Sequence, residues 1–344
     1  MTVTLLVPGR LTNRSGGSIY DRRIAEGLRS RGWSVDVREL DDSFSFPTAA
    51  ALDDAARALA AIPDGRTVIV DGLAFSAMPL QTEHEASRLR LVALVHALLG
   101  SDDERRALAA ASLVIVTGRS TIAALERYGV ERARILLVEP GTDRAPLSTG
   151  SRASGGRPLE LLSVAALTPG KGHEILFRAL AAVPLRDWHL TCAGSLERDP
   201  ATVERLHARL RADGLDDRVT FAGELDDAQL ADAYDRADLF VLATLRETYG
   251  MAVAEALAHG LPVVGTMTGA IPDLVGKDAG VIVPAGDVDG LTAALTRVLE
   301  DARLRERMAE GARRVRDRLP TWDAAASTLA AALERVTTDG RVAR

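Results

Sequence analysis

Cysteine and lysine are almost missing from this chain. Its 344 residues include one cysteine, Cys192, and only two lysines, Lys171 and Lys277, among 42 basic side chains. A single cysteine excludes an internal disulfide and any cysteine-built metal site; its simplest role is a small apolar group in a strand. No apolar run approaches the ~18 residues of a membrane-spanning helix. The opening stretch, MTVTLLVPGR, lacks the basic region and cleavage site of a secretory leader, so a cytoplasmic protein is expected. Positive charge is not in excess either. The net charge of -6 argues against general nucleic-acid binding, which needs a concentrated basic face. Acidic residues slightly outnumber arginines over the first 143 positions, so membrane association is not expected.

What is present is a soluble composition, 47% apolar and 26% charged, in a chain long enough for two cores of about 150 residues each. Short β-branched runs alternate with helical periodicity, the pattern of an α/β fold with parallel sheets. In the first half, strands are expected at Thr2 to Val7, Ser34 to Glu39, Val68 to Asp71, Arg90 to His96, Leu113 to Thr117 and Ile135 to Val138. The first helix is expected from Ile19 to Arg31. The stretch GTDRAPLSTGSRASGGRP, Gly141 to Pro158, breaks the rhythm and reads as a linker. Strands resume from Leu159 and a final helix follows Pro320, which gives domains at 1–143 and 159–319, a linker at 144–158 and a closing segment at 320–344. Two doubly wound, Rossmann-like sheets would bind ligand at the carboxyl ends of their strands, in a cleft. No G-x-G-x-x-G follows either first strand, which weakens a dehydrogenase reading.

Chemistry concentrates in RETYGMAVAEALAHGLPVVGT, from Arg246. It follows the apolar run LFVLAT and opens a helix, whose first free amides near Gly250, Met251 and Ala252 form an anion site. Gly250 permits close approach of a ligand to the backbone. Glu247 stands before that site and Glu255 about one turn beyond it. Carboxylates repel phosphate, so their partners would be hydroxyls, a sugar on one side and a ribose on the other. The plain alternative makes Glu247 a cap and Glu255 a solvated helical residue. Against it, Glu255 sits among apolar residues, where an unpartnered carboxylate is costly.

ETYGMAVAEALAHGLPVVGT followed by GAIPDLV resembles the signature of retaining GT-B glycosyltransferases of family 4, in which two glutamates stand eight positions apart. The resemblance implies that Glu247 touches donor-sugar hydroxyls, that amides from Tyr249 through Ala252 hold a diphosphate, and that Glu255 binds the nucleotide ribose. SVAALTPGKGH, Ser163 to His173, is similar to the family's loop in which an arginine and a lysine clamp the donor phosphates. Lys171 fits; the arginine position holds Ala166. That loss must be offset by another group, accepted as weaker donor binding, or taken as a sign of altered chemistry. In the first half, Gly16 and Gly17 of NRSGGS resemble the family's loop near the donor phosphates, and His96 resembles its strand-end histidine, which contacts the donor sugar. Backbone contacts of Gly223 and Leu225 with the base are implied in the same way. His173 and His259 read as packing or surface positions.

The resemblance implies front-face transfer with retention from a nucleoside-diphosphate sugar, a co-substrate rather than a cofactor, with His96, Lys171 and Glu247 at the reaction. The last helix would cross back to the first domain. Uridine is the more frequent base in such donors, and a small soluble acceptor is expected. No metal is expected, because no Asp-x-Asp suited to a diphosphate-bound cation stands in a matching loop. Two alternatives stay open: another GT-B enzyme, such as a sugar phosphorylase or nucleotide-sugar epimerase, and a catalytically silent nucleotide-sugar-binding relative. Nothing in the sequence bears on oligomeric state.

Overall fold

The computed structural model describes residues 1–151 and 158–339. Part of the expected linker, 152–157, lies outside the described residues. The chain divides into two compact units, Met1–Gly141 with Pro320–Arg344, and Thr142–Leu319.

The first unit runs β1 (Thr2–Pro8), α1 (Gly16–Ser30), β2 (Ser34–Leu40), α2 (Ala49–Ala60), β3 (Thr67–Asp71), α3 (Gly72–Ser76), α4 (Pro79–Glu85), β4 (Arg90–Val95), α5 (Asp102–Ala109), β5 (Leu113–Val116), α6 (Arg119–Arg127) and β6 (Ile135–Leu137). The second runs β7 (Leu159–Val164), α7 (His173–Ala182), β8 (Trp188–Ala193), α8 (Pro200–Asp213), β9 (Val219–Gly223), α9 (Asp227–Arg236), β10 (Leu239–Leu242), α10 (Met251–Ala258), β11 (Val263–Thr266), α11 (Ile271–Val275), β12 (Gly280–Val283), α12 (Val288–Glu300) and α13 (Ala302–Arg316). The closing helix α14 (Trp322–Asp339) belongs to the first unit.

Each unit holds a six-stranded sheet in which every strand pair is parallel, ordered β2-β1-β3-β4-β5-β6 in the first and β12-β11-β10-β7-β8-β9 in the second. Helices cover both faces, so the central strands read as unbroken apolar runs rather than alternating ones. In the first sheet Val68, Val70, Leu91 and Ala93 pack with Ala55, Leu59, Phe75 and Leu108, while Ile69, Val92, Leu94 and Leu5 pack with Ile24, Leu28, Leu329 and Leu333. The last two residues bring α14 onto the face that α1 also covers. In the second sheet Leu161, Leu190 and Val241 face Phe177, Leu206 and Leu295, and Leu162, Phe240 and Leu242 face Tyr234, Val253 and Leu257. Cys192 is buried among the first of these groups.

Chain order reverses between β1 and β3 in one sheet and between β7 and β10 in the other. In open α/β sheets these switch points leave a crevice at the carboxyl ends of the strands, where ligands bind.

Three short helices, α3, α4 and α11, exceed what periodicity alone reveals. A helix of five to seven residues shows too few turns for a 3.6-residue repeat. Asp71 starts α3 by accepting from Leu73 N at 2.8 Å, and Pro79 and Pro272 stand in the first turns of α4 and α11, where a missing amide hydrogen costs nothing. The first helix also begins earlier than expected. Ser15 caps it by accepting from Ser18 N, and that cap prevails over the poor helix propensity of Gly16 and Gly17. The glycines therefore sit in the first turn of α1 rather than in a loop.

Candidate active site

In the second unit, the switch point presents the loops after β7 and β10. The first makes a single 3-10 turn, Pro169–Lys171. Gly170 O accepts from Leu245 N at 2.9 Å, and the Thr244 hydroxyl lies 3.1 Å from the same oxygen. This pairing fixes the lysine turn to the loop that carries Glu247. Lys171 Nζ donates to Glu247 Oε2 at 2.8 Å, with the two side chains 32% and 19% exposed. The two residues expected to act on a donor are thus in direct contact.

Beyond Glu247 the chain enters α10 through Gly250, whose φ is +97°. Only glycine holds that conformation without strain, and a β-carbon there would meet Ile271 Cγ1 at 3.0 Å. Gly250 offers the helix no side-chain cap. The first-turn amides at Met251 and Ala252, both half-buried, therefore start without an intrahelical partner. A cation from the loop after β7 meets a carboxylate and a set of helix-start amides from the loop after β10. Tyr249 is 4% exposed, which leaves the backbone as what that position can offer a ligand.

Glu255 has a partner that sequence reasoning missed. Tyr234, on α9, donates its hydroxyl to Glu255 Oε2 at 3.0 Å and stacks on His259 at a centroid distance of 4.7 Å. Burial pushes the Glu255 carboxyl up to about 7, the Tyr234 hydrogen bond opposes this, and Asp143 adds repulsion. Tyr234 falls on the apolar stripe of α9, and an aromatic hydroxyl on a buried face needs an acceptor. Gly223 and Leu225 lie at the carboxyl end of β9, two strands from β7, with Gly223 O accepting from Gly194 N. His173 is 2% and His259 8% exposed; burial pulls both imidazoles down, to about 4 at His173, where Lys171 adds repulsion. Half-buried Ala166 occupies the position where the arginine was expected.

The first unit has its own cluster at the β1–β3 switch point. His96 follows β4, and its Nε2 lies 2.9 Å from Asp21 Oδ1 and 3.3 Å from Asp71 Oδ2. Asp21 and Asp71 are 1% and 3% exposed. A β-carbon on Gly17 would sit 3.2 Å from His96 Cδ2, so Gly17 and His96 are neighbours; Gly16, one residue earlier, is exposed. Tyr20 meets the imidazole edge-on at 5.2 Å and donates to Val138 O at 2.9 Å. Asp21 and Asp71 were not singled out from the sequence. Asp21 repeats with Ile24, Ala25 and Leu28 on the buried stripe of α1, and Asp71 ends a strand; those were the available signals.

Residues 150–315 match the family model of glycosyl transferases group 1. Over that span, a little under half of its length, the chain is similar to that family. Among curated relatives, it is 30% identical to mannosylfructose-phosphate synthase of Agrobacterium fabrum over 227 residues, 61% of this chain and 50% of the relative. It is also 30% identical to D-inositol 3-phosphate glycosyltransferase of Xylanimonas cellulosilytica over 241 residues, 66% of this chain and 57% of the relative. The chain spans about half the length of these curated relatives. Among solved structures, sucrose-phosphate synthase from Thermosynechococcus elongatus superposes with a TM-score of 0.83 at 22% identity, covering 98% of this chain and 99% of that one. The Anabaena HepE protein in complex with UDP-glucose gives 0.80 at 20% identity over 96% and 99%. With two parallel six-stranded sheets, the chain has the GT-B fold. None of its described helices is long and apolar enough to cross a membrane.

Proposed function

We propose that the protein is a retaining glycosyltransferase that moves a sugar from a uridine diphosphate sugar to a small soluble acceptor bearing a hydroxyl. The observation that carries this reading is the Lys171–Glu247 pair beside the uncapped start of α10 at Gly250. A diphosphate fits the helix amides and the ammonium, and a sugar hydroxyl fits the carboxylate. The HepE complex with UDP-glucose supports the choice of donor, and the relatives named for mannosylfructose phosphate and inositol phosphate support a small acceptor.

When a donor enters, its phosphate competes for Lys171, which turns from Glu247 to the β-phosphate. Glu247 is then free to accept from a sugar hydroxyl. The sugar C1–O bond breaks with its electron pair leaving on the diphosphate, where Lys171 and the α10 amides spread the charge. The acceptor hydroxyl attacks C1 from the same face and gives its proton to a phosphate oxygen. Arg246, exposed and without a partner among the described residues, supplies a second positive charge in place of the arginine missing at Ala166. No resident cofactor takes part, and the product is a glycoside plus nucleoside diphosphate.

The test pairs UDP-, GDP- and ADP-sugars with sugar, polyol and sugar-phosphate acceptors and follows nucleotide release. Acceptor-dependent release of UDP is expected. An epimerised donor formed without acceptor would overturn the reading, and wild-type rates in both Lys171→Ala and Glu247→Ala would overturn the site.

A further inference from the structure

His96 is surrounded in a way that packing alone does not require. A carboxylate on the inward stripe of a helix is costly unless it meets a cation, and Asp21 on α1 is joined there by Asp71 at the end of β3. The imidazole meets both, with Nε2 at 2.9 and 3.3 Å from the two oxygens, and the two carboxyls also meet each other. Asp71 is itself fixed, its other oxygen accepting from Leu73 N at 2.8 Å. Tyr20 closes one edge of the ring and Gly17 approaches Cδ2. The Nδ1 atom has no partner among the described residues, and the side chain is 18% exposed.

We propose that Asp21, backed by Asp71, is the positioning residue for His96, fixing the ring through Nε2 so that Nδ1–H is left to donate to a ligand oxygen. The proposal deepens the glycosyltransferase reading and rests on it for the identity of the ligand. Two buried carboxylates call for a charged imidazolium between them, and in an imidazolium both nitrogens are donors. Burial opposes that charge, yet the charge of Asp21 and the hydrogen bonds of Asp21 and Asp71 outweigh it and push His96 up to about 10. The ionisable groups facing the ring are Asp21, Asp71 and Tyr20. Burial holds the Tyr20 phenol un-ionised; burial also raises Asp21, to about 6, against the opposing pull of His96 and with Asp71 adding to the rise.

Nitrogen-15 spectra of the histidine side chains, with His96→Gln to assign the signal, report the charge and tautomer of His96 in the full-length wild type and in Asp21→Asn. The wild-type ring is expected to stay protonated beyond pH 8, and its midpoint to fall by about one pH unit or more in Asp21→Asn, with partial recovery in Asp21→Glu. Calorimetry with UDP-glucose and with UDP provides the second readout. Asp21→Asn is expected to weaken UDP-glucose about tenfold and leave UDP unchanged, a difference that a merely destabilised fold would not produce. An unmoved His96 titration, or equal weakening of both ligands, would overturn the proposal. So would stabilisation of the wild type by zinc that Asp21→Asn abolishes, because the three ligand atoms lie within 4.8 Å of one another and Nε2 would then hold a metal. Loss of the broader reading looks different: the wild type would bind neither ligand, while the titration would still report whether Asp21 controls the charge of His96.

Discussion

Lys171 and Glu247 lie 76 positions apart in the chain and 2.8 Å apart in space. The contact joins the loops after β7 and β10, the two strands between which chain order reverses. A half-exposed ion pair of this kind contributes little to stability; under the proposed function its value lies in placing a cation and a carboxylate on either side of a bond to be broken.

Lys171→Met should therefore separate stability from turnover. Unfolding free energy is expected to change by less than about 1 kcal/mol, while the transfer rate falls by about 10²- to 10³-fold, the range seen on removing one group that stabilises developing negative charge. Thermal melts and steady-state kinetics on the same preparation check both halves.

Gly269, the first residue of GAIPDLV, supports the same loop. Its φ is +52°, and a β-carbon would lie 2.2 Å from Glu247 O and 2.5 Å from Thr248 O. Gly129 has a comparable φ of +86° but nothing within 4 Å. Gly129→Ala is expected to cost about 1 kcal/mol, the backbone penalty alone. Gly269→Ala adds a steric clash and should cost about 2–3 kcal/mol while also displacing Glu247 and weakening donor binding. Urea unfolding of the two variants makes the comparison; equal losses would refute it.

The fold was legible because parallel strands buried on both faces write themselves as apolar runs, such as TVIVD and LFVLA, with helical periods between. The motif residues of the second unit were legible too, since Glu247, Gly250 and Glu255 fall within nine positions and Lys171 is one of two lysines. Their partners were not. Tyr234, Asp21 and Asp71 reach the candidate sites through tertiary packing from separate elements, and a lone Asp in YDRRIAEGL looks like any solvated helical position until the burial of its neighbours is known. The start of α1 was misjudged for a local reason, the Ser15 cap overriding two glycines.

Glu255 should make stability depend on pH in a direction opposite to that of an ion-paired carboxylate. Its folded midpoint, about 7, lies above the ordinary 4.5, so the folded state favours the protonated form. Its contribution is full below about pH 4.5 and is lost as pH rises through 7. Glu255→Gln keeps an acceptor for Tyr234 and cannot ionise. The variant is expected to match the wild type at pH 5 and to exceed it at pH 8 by on the order of 1–3 kcal/mol. Denaturant unfolding at the two pH values measures the difference, and a variant less stable at pH 8 would show that ionised Glu255 is better satisfied than its surroundings indicate.

Trp322 ties the closing helix to the first unit. Its ring meets Tyr20 edge-on at 5.7 Å and lies under the Arg23 guanidinium at 5.3 Å, and Tyr20 in turn abuts His96. Because Trp322 is only half-buried, Trp322→Ala should cost about 2 kcal/mol, less than the 3–5 kcal/mol of a fully enclosed tryptophan. Through Tyr20 the loss should loosen the imidazole, so affinity for UDP-glucose falls a few-fold while affinity for UDP stays as in the wild type. Trp322→Phe retains a ring against Tyr20 and should recover most of both effects. If Trp322→Ala loses stability but Trp322→Phe restores none of it, aromatic packing on Tyr20 is not what holds α14 in place, and the anchoring must come from Leu329 and Leu333 further along the helix.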